Sequence, residues 1–189
     1  PDRSIGNVAT VDTYIWTLWH LLEACAEAAV PLVVLDRPNP LSGDLEEAEG
    51  PLLDADRLGS FVGRDSIPIR HSLTVGELAR LWNRKRHPQA RLRIVPCSGW
   101  SRAMQWPDTG LAFVPTSPAI GSFASALLYP GVCLFEATDL SVGRGTDLSF
   151  QVVGAPDLPG GELARRFNAM RLPGVEAEPY VFTPLQKPH

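Results

Sequence analysis

Eighteen prolines and sixteen glycines are spread along 189 residues, and they limit how long any one element can run. Each proline removes a backbone donor, and each glycine weakens the helix or strand around it. Dispersed in this way they do not make a linker. They punctuate many short elements, as in an α/β or α+β domain. The apolar segments between them alternate between helix-length and strand-length runs. That alternation predicts a layered α/β fold, with a substantially parallel or mixed sheet and helices on its faces.

Composition removes several classes of function. Hydrophobic residues make up 44% and charged residues 20%, which excludes a disordered or polyelectrolyte chain. The net charge of −4 gives no general attraction for nucleic acid or anionic lipid. No apolar run approaches the roughly 20 residues that span a bilayer. The longest, Ala28 to Leu35, is strand length and contains Pro31. Cys25, Cys97 and Cys133 are odd in number and form no CxxC pair, which argues against a zinc ribbon or a disulfide scaffold. They read as small apolar side chains, and no metal or cofactor is expected. The chain begins Pro1-Asp2-Arg3, without a leader, and is expected to be internal to a longer protein.

Local patterns predict the elements. Asp12 to Ala29 reads as a helix capped by Asp12, apolar on most faces and well buried. Val30 to Leu35 reads as a strand covered on both faces, and Asp44 to Asp56 as surface loop. Thr74-Val75-Gly76-Glu77 fits a capping box, so a helix is expected from Val75 to about Arg86. Strands are expected at Arg91–Pro96, Gly131–Phe135, Leu148–Val153 and Val175–Phe182, and helices at Ser122–Tyr129 and Gly161–Met170.

Two apolar runs end in a carboxylate. Val33-Val34-Leu35 leads into Asp36-Arg37, and Val132 to Phe135 leads into Glu136. In open α/β sheets the ligand crevice lies beyond the carboxyl ends of the strands, so both carboxylates are candidates for a shared site. The structural alternatives are that Asp36 caps its own turn or pairs with Arg37, and that Glu136 pairs with Arg144. The segment from Glu136 to Thr146 is dense in groups that bind hydroxyls, including Ser141 and an arginine, Arg144, between two glycines. Arg144 could grip a carboxylate in bidentate fashion. His71 precedes the capping box and could present a ring nitrogen at a helix mouth. Trp100 and Trp106 could stack on sugar faces. Glu77 is explained by the capping box, and Glu49 by itself reads as a solvated charge.

These residues, taken in order, resemble the exo-β-N-acetylmuramidase family (NamZ/YbbC). The resemblance is carried by Val34-Leu35-Asp36-Arg37-Pro38-Asn39-Pro40 with Gly43, Glu49-Gly50-Pro51 and Ser60-Phe61-Val62-Gly63. It continues through Ile67-Pro68-Ile69-Arg70-His71, Thr74 to Ala79, Trp100-Ser101-Arg102-Ala103-Met104 and Tyr129-Pro130-Gly131. Glu136-Ala137-Thr138, Ser141 to Thr146, Gly154-Ala155-Pro156, Leu172 to Val175 and Phe182-Thr183-Pro184 complete it.

What the resemblance implies is a bacterial glycoside hydrolase that releases N-acetylmuramic acid from the non-reducing ends of peptidoglycan fragments, in cell-wall turnover and recycling. It implies a Rossmann-like region followed by a smaller C-terminal region, with the active site in the cleft between them. Residues 1–60 would then be the end of the first region and a cleft loop, and residues 61–189 the α/β remainder, together one folded unit. Glu49 and Glu136 become the catalytic candidates. Asp36, Arg37, Asn39, His71, Ser141 and Arg144 become the substrate-binding candidates, with Arg37 or Arg144 meeting the lactyl carboxylate. Muramic-acid saccharides are the expected partners, without nucleic acid or a membrane span, and the expected location is secreted, periplasmic or at the cell envelope.

The sequence also departs from the family. A Gly-Pro-Glu-His-Gly segment with a presumed catalytic Glu is expected to lie outside it. Ser117-Pro118-Ala119-Ile120-Gly121 replaces Ser-Pro-Asn-Met-Pro, and Asp139 replaces an Asn. These changes support a second expectation, a non-catalytic or degenerate sugar-binding member.

Overall fold

The computed structural model describes residues 13–85 and 88–184. Two compact units divide the chain, residues 1–118 and residues 119–189. The 60/61 boundary expected from the sequence lies inside the first unit, between its strand-bearing segments.

In the first unit the order is α1 (Thr13–Glu27), β1 (Leu32–Leu35), β2 (Glu49–Leu52), α2 (Ala55–Leu58), β3 (Pro68–Arg70), α3 (Val75–Arg84) and β4 (Leu92–Val95). The second unit holds α4 (Phe123–Val132), a 3₁₀ turn at Cys133–Ala137 and α5 (Gly160–Ala169). The class is α/β. Strands β1 and β4 pair in parallel, with Leu32 opposite Leu92 and Leu35 opposite Val95. Strands β2 and β3 pair antiparallel, with Glu49 opposite Arg70.

The core of the first unit lies between α1, α3 and one face of the parallel pair. Ile15, Trp16, Leu18 and Leu22 of α1 meet Leu78, Ala79 and Trp82 of α3, with Val34 of β1 beneath. Trp16 stacks on Trp82 with centroids 5.3 Å apart, and Trp19 meets the same ring edge-on. Helix α1 is less enclosed than its composition predicts, since Tyr14 and Leu21 lie on an exposed stripe. It ends with Ala29 at φ 53°, and the Val30 N–H returns to the Cys25 carbonyl. The Asp12 cap lies outside the described residues. Strand β1 corrects the expectation of burial on both faces: Val33 is 53% and Leu35 is 69% exposed. The physical reason is layering. Both helices pack on the face that carries Val34, and β4 is the neighbouring strand among the described residues.

The capping box is present as expected. The Thr74 hydroxyl accepts from the Glu77 N–H, and the Glu77 carboxylate accepts from the Thr74 N–H. The acidic stretch is exposed as expected, but Glu49–Leu52 within it forms β2.

Three expected strands are absent among the described residues. Gly131–Phe135 instead continues α4 into the 3₁₀ turn. Ser122 caps α4 through its side chain, and helical hydrogen bonds carry on past Pro130 to the Cys133 N–H, which bonds the Tyr129 carbonyl. A short apolar run satisfies its backbone locally as a helix when no strand lies beside it. Leu148–Val153 is replaced by tight turns. The Thr146 and Ser149 hydroxyls both donate to the Gly143 carbonyl, and Phe150 takes φ 62°. Such local side-chain bonds offer the backbone an alternative to a ladder. Val175–Phe182 is irregular, pinned where Asn168 exchanges two hydrogen bonds with Ala177.

Candidate functional site

The parallel pairing of β1 and β4 sends both chains out at the same end. There Asp36 meets the N-terminus of α3. Its carboxylate accepts from the Arg37 N–H at 2.9 Å, the Thr74 hydroxyl at 2.9 Å and the Gly76 N–H at 2.7 Å. A helix N-terminus presents unpaired N–H groups and the positive end of its dipole, so a carboxylate is well placed there. The approach requires glycine at 76, because a Cβ would sit 2.6 Å from the carboxylate carbon. Asp36 therefore spends its acceptor capacity inside the protein.

The other candidates of the first unit gather around the same turn. Asn39 is 1% exposed. Its amide donates to the Leu73 carbonyl and accepts from the Leu41 N–H, which makes it a brace between two loops. His71 is also buried, and its Nδ1 accepts from the Leu73 N–H at 3.1 Å, so it faces the turn and not an open mouth. Arg37 is half-buried, and among the described residues its guanidinium has no carboxylate partner. Glu49 is the open carboxylate here, with a side chain 62% exposed and 3.6 Å from Arg70. Arg70 also contacts Glu47 and the Leu41 carbonyl.

Two neighbours, Arg102 and Cys97, carry no site role in the sequence, and a third, Trp100, appears there as a sugar-stacking candidate. Arg102, quoted above only within a family motif, donates to the Glu77 carboxylate and to the Gly43 carbonyl. Trp100 lies over Gly43 so closely that a Cβ there would be 2.5 Å from the ring. Cys97 follows β4. Burial pushes its thiol pKa up, and the Asp36 and Glu77 carboxylates push it further. Gly43 was the one available signal, since a glycine beneath an aromatic permits close approach. Trp106 is buried, with its Nε1 on the Leu111 carbonyl.

In the second unit Glu136 does not end a strand, so the premise of paired strand-end carboxylates is corrected. It sits on the 3₁₀ turn and accepts from Arg144 Nε at 2.5 Å. The Arg144 guanidinium also lies 5.0 Å over the Phe150 ring. Gly143, at φ 74°, permits the turn that brings Arg144 back; the Val152 methyl would touch any Cβ there. Ser141 accepts from the Gly143 N–H and bridges Gly154 through its backbone. It also lines a cleft of about 580 Å³ with Asp139, Pro156, Tyr180 and Phe182. Among the described residues no group of three or more His, Cys, Asp or Glu is placed to hold a metal ion.

Comparison with known proteins accounts for nearly the whole chain. Residues 9–124 match the family model "Exo-beta-N-acetylmuramidase NamZ, N-terminal", and residues 127–189 match its C-terminal counterpart. The chain is 41% identical over 177 residues to the peptidoglycan beta-N-acetylmuramidase NamZ of Bacillus subtilis (strain 168). That match covers 94% of this chain and 42% of the relative. Two solved structures of DUF1343 family proteins from Bacteroides fragilis NCTC 9343 are also similar. One aligns with a TM-score of 0.89 at 34% identity, over 98% of this chain and 48% of that one. The other aligns at 0.71 and 37% identity, over 82% and 43%. The chain thus spans less than half the length of the relatives it matches.

Proposed function

This chain belongs to the exo-β-N-acetylmuramidase (NamZ) family, and from that membership we propose that it is part of a glycoside hydrolase. The reaction releases N-acetylmuramic acid from the non-reducing ends of peptidoglycan fragments. The observation that carries this reading is 41% identity, along 94% of the chain, to a relative named as a peptidoglycan beta-N-acetylmuramidase. The substrate class implies work at the cell envelope, by a secreted or periplasmic protein.

Glycoside cleavage needs a proton donor and a second carboxylate across the scissile bond. Glu49 and Glu136 are assigned to the catalytic or sugar-binding carboxylates, and Asp36 to holding α3. Muramic acid differs from N-acetylglucosamine by its lactyl carboxylate, which calls for a cation. Arg144 is engaged by Glu136 and Phe150, which supports giving this role to Arg37. A planar guanidinium grips a carboxylate in a way that an ammonium does not.

The test uses this chain in two assays. In titrations with N-acetylmuramic acid and N-acetylglucosamine, Arg37→Lys weakens the first by about tenfold or more and the second little. Arg144→Lys weakens both alike. Release of nitrophenol from a chromogenic β-N-acetylmuramide by this chain is expected to be slight, because the chain spans 42% of its Bacillus relative and a single acid–base carboxyl is worth about 10²–10⁴-fold. Equal losses for Arg37→Lys on both sugars would remove its assignment. Turnover within about tenfold of the Bacillus relative would place the whole catalytic apparatus in this chain.

A further inference from the structure

We propose that Arg102 is the positioning residue of the strand-end loops, locking them in the arrangement that binds sugar. The sugar part of this inference rests on the function proposed above; the locking part rests on geometry alone.

Two non-glycine residues at this end of the first unit hold a left-handed backbone, Ser42 at φ 83° and Ser72 at φ 52°. Both are almost completely buried. Such conformations persist only where the surroundings impose them, and they gather at functional sites. Here the surroundings are largely one residue. The Arg102 carbonyl accepts from the Ser42 hydroxyl at 2.9 Å and from the Gly43 N–H at 2.7 Å. Its guanidinium returns to the Gly43 carbonyl, so residues 43 and 102 bond in both directions. The same nitrogen reaches the Ser72 carbonyl at 3.4 Å, and the other arm reaches Glu77.

Three segments converge on this side chain. The first carries Arg37 and Asn39 out of β1. The second carries His71 into α3. The third is the first turn of α3, whose Thr74 and Gly76 hold Asp36. One arm of the planar fork serves the Gly43 and Ser72 carbonyls and the other serves Glu77, an arrangement that a lysine point charge does not reproduce. Trp100 closes over Gly43 from the same loop and fixes the spacing.

The experiment compares the wild-type chain with Arg102→Lys, Arg102→Ala and Glu77→Gln. Amide hydrogen exchange is read at Gly43, with Leu78 and Trp82 as core references, and N-acetylmuramic acid binding is titrated by NMR. In Arg102→Lys and Arg102→Ala, Gly43 exchange accelerates about tenfold or more, the core references hold, and affinity falls by about tenfold. Added guanidinium restores part of the affinity of Arg102→Ala, which a purely global loss of stability would not allow. Glu77→Gln keeps a capping side chain and shows a smaller change in the same direction. Unchanged Gly43 exchange in the arginine variants would overturn the locking role, as would exchange that rises equally in the core. Faster Gly43 exchange with unaltered sugar affinity would overturn the positioning role. A wild-type chain that binds no muramic acid would defeat the proposed function, and the exchange comparison would still decide the lock.

Discussion

Asp36 and Glu136 are held by opposite means. Asp36 is gripped by donors fixed in the fold: two backbone N–H groups and the hydroxyl of a helix cap. Glu136 is held by one guanidinium, within a pair whose side chains are 22% and 29% exposed. The first arrangement ties a strand end to a helix start forty residues away. The second closes a loop on itself, eight residues apart. Helix N-terminal donors cannot follow a carboxylate that leaves, so losing Asp36 leaves them stranded. An arginine at a partly wet site re-solvates. The difference separates a carboxylate that carries architecture from one whose charge stays accessible to chemistry.

The largest effect that would test this contrast is Asp36→Ala. It removes three accepted hydrogen bonds and the charge at the helix N-terminus, and should cost about 2–4 kcal/mol in urea denaturation. A cost under about 0.5 kcal/mol would mean that water replaces the carboxylate, and the contrast would collapse.

Glu136→Gln should cost far less, about 1 kcal/mol or below, because partly exposed pairs contribute little. Denaturation of the two variants side by side measures the difference directly. A Glu136 loss as large as that of Asp36 would make the Glu136–Arg144 pair architectural and weaken its catalytic assignment.

The smallest effect concerns Cys97, beside Asp36. Its folded pKa is raised, so the folded chain binds the thiol proton more tightly than the unfolded chain does. This thiol therefore adds stability that is fully present below the ordinary thiol value of about 8.5 and is lost as pH rises through the folded value. Melting temperature followed from pH 7 to 10 should fall more steeply for the wild type than for Cys97→Ser. Iodoacetamide at pH 8 should label Cys97 slowly, and faster in Asp36→Asn, which removes the larger charge contribution. A label rate unmoved by Asp36→Asn would leave burial and the Glu77 carboxylate as the causes.

Legibility in the sequence followed the range of the interactions. The Thr74–Glu77 capping box, the acidic exposed loop and the helix at 160–169 depend on residues three or four apart, and each forms close to where the pattern predicts it. The Glu136–Arg144 pair, the structural alternative to a site role for either residue, forms. For Asp36 the local pattern suggests a cap of its own turn or a pair with Arg37. Asp36 does bond the Arg37 N–H, but its larger commitment is to Thr74 and Gly76, which no local pattern marks.

The sequence by itself determined the family, the α/β class and the residues from which any sugar chemistry here must be drawn, because motif order and short-range periodicity are written in neighbouring positions. Only the tertiary structure decided what each apolar run became. Val33–Leu35 is a strand because β4 lies beside it, while Gly131–Phe135, equally apolar, stays helical because it satisfies its own backbone. Likewise the roles of Asn39, Gly43, Gly76 and Arg102 come from contacts made 25 or more residues away in the chain. Such contacts exist only once packing has chosen which loops leave the same end of the sheet.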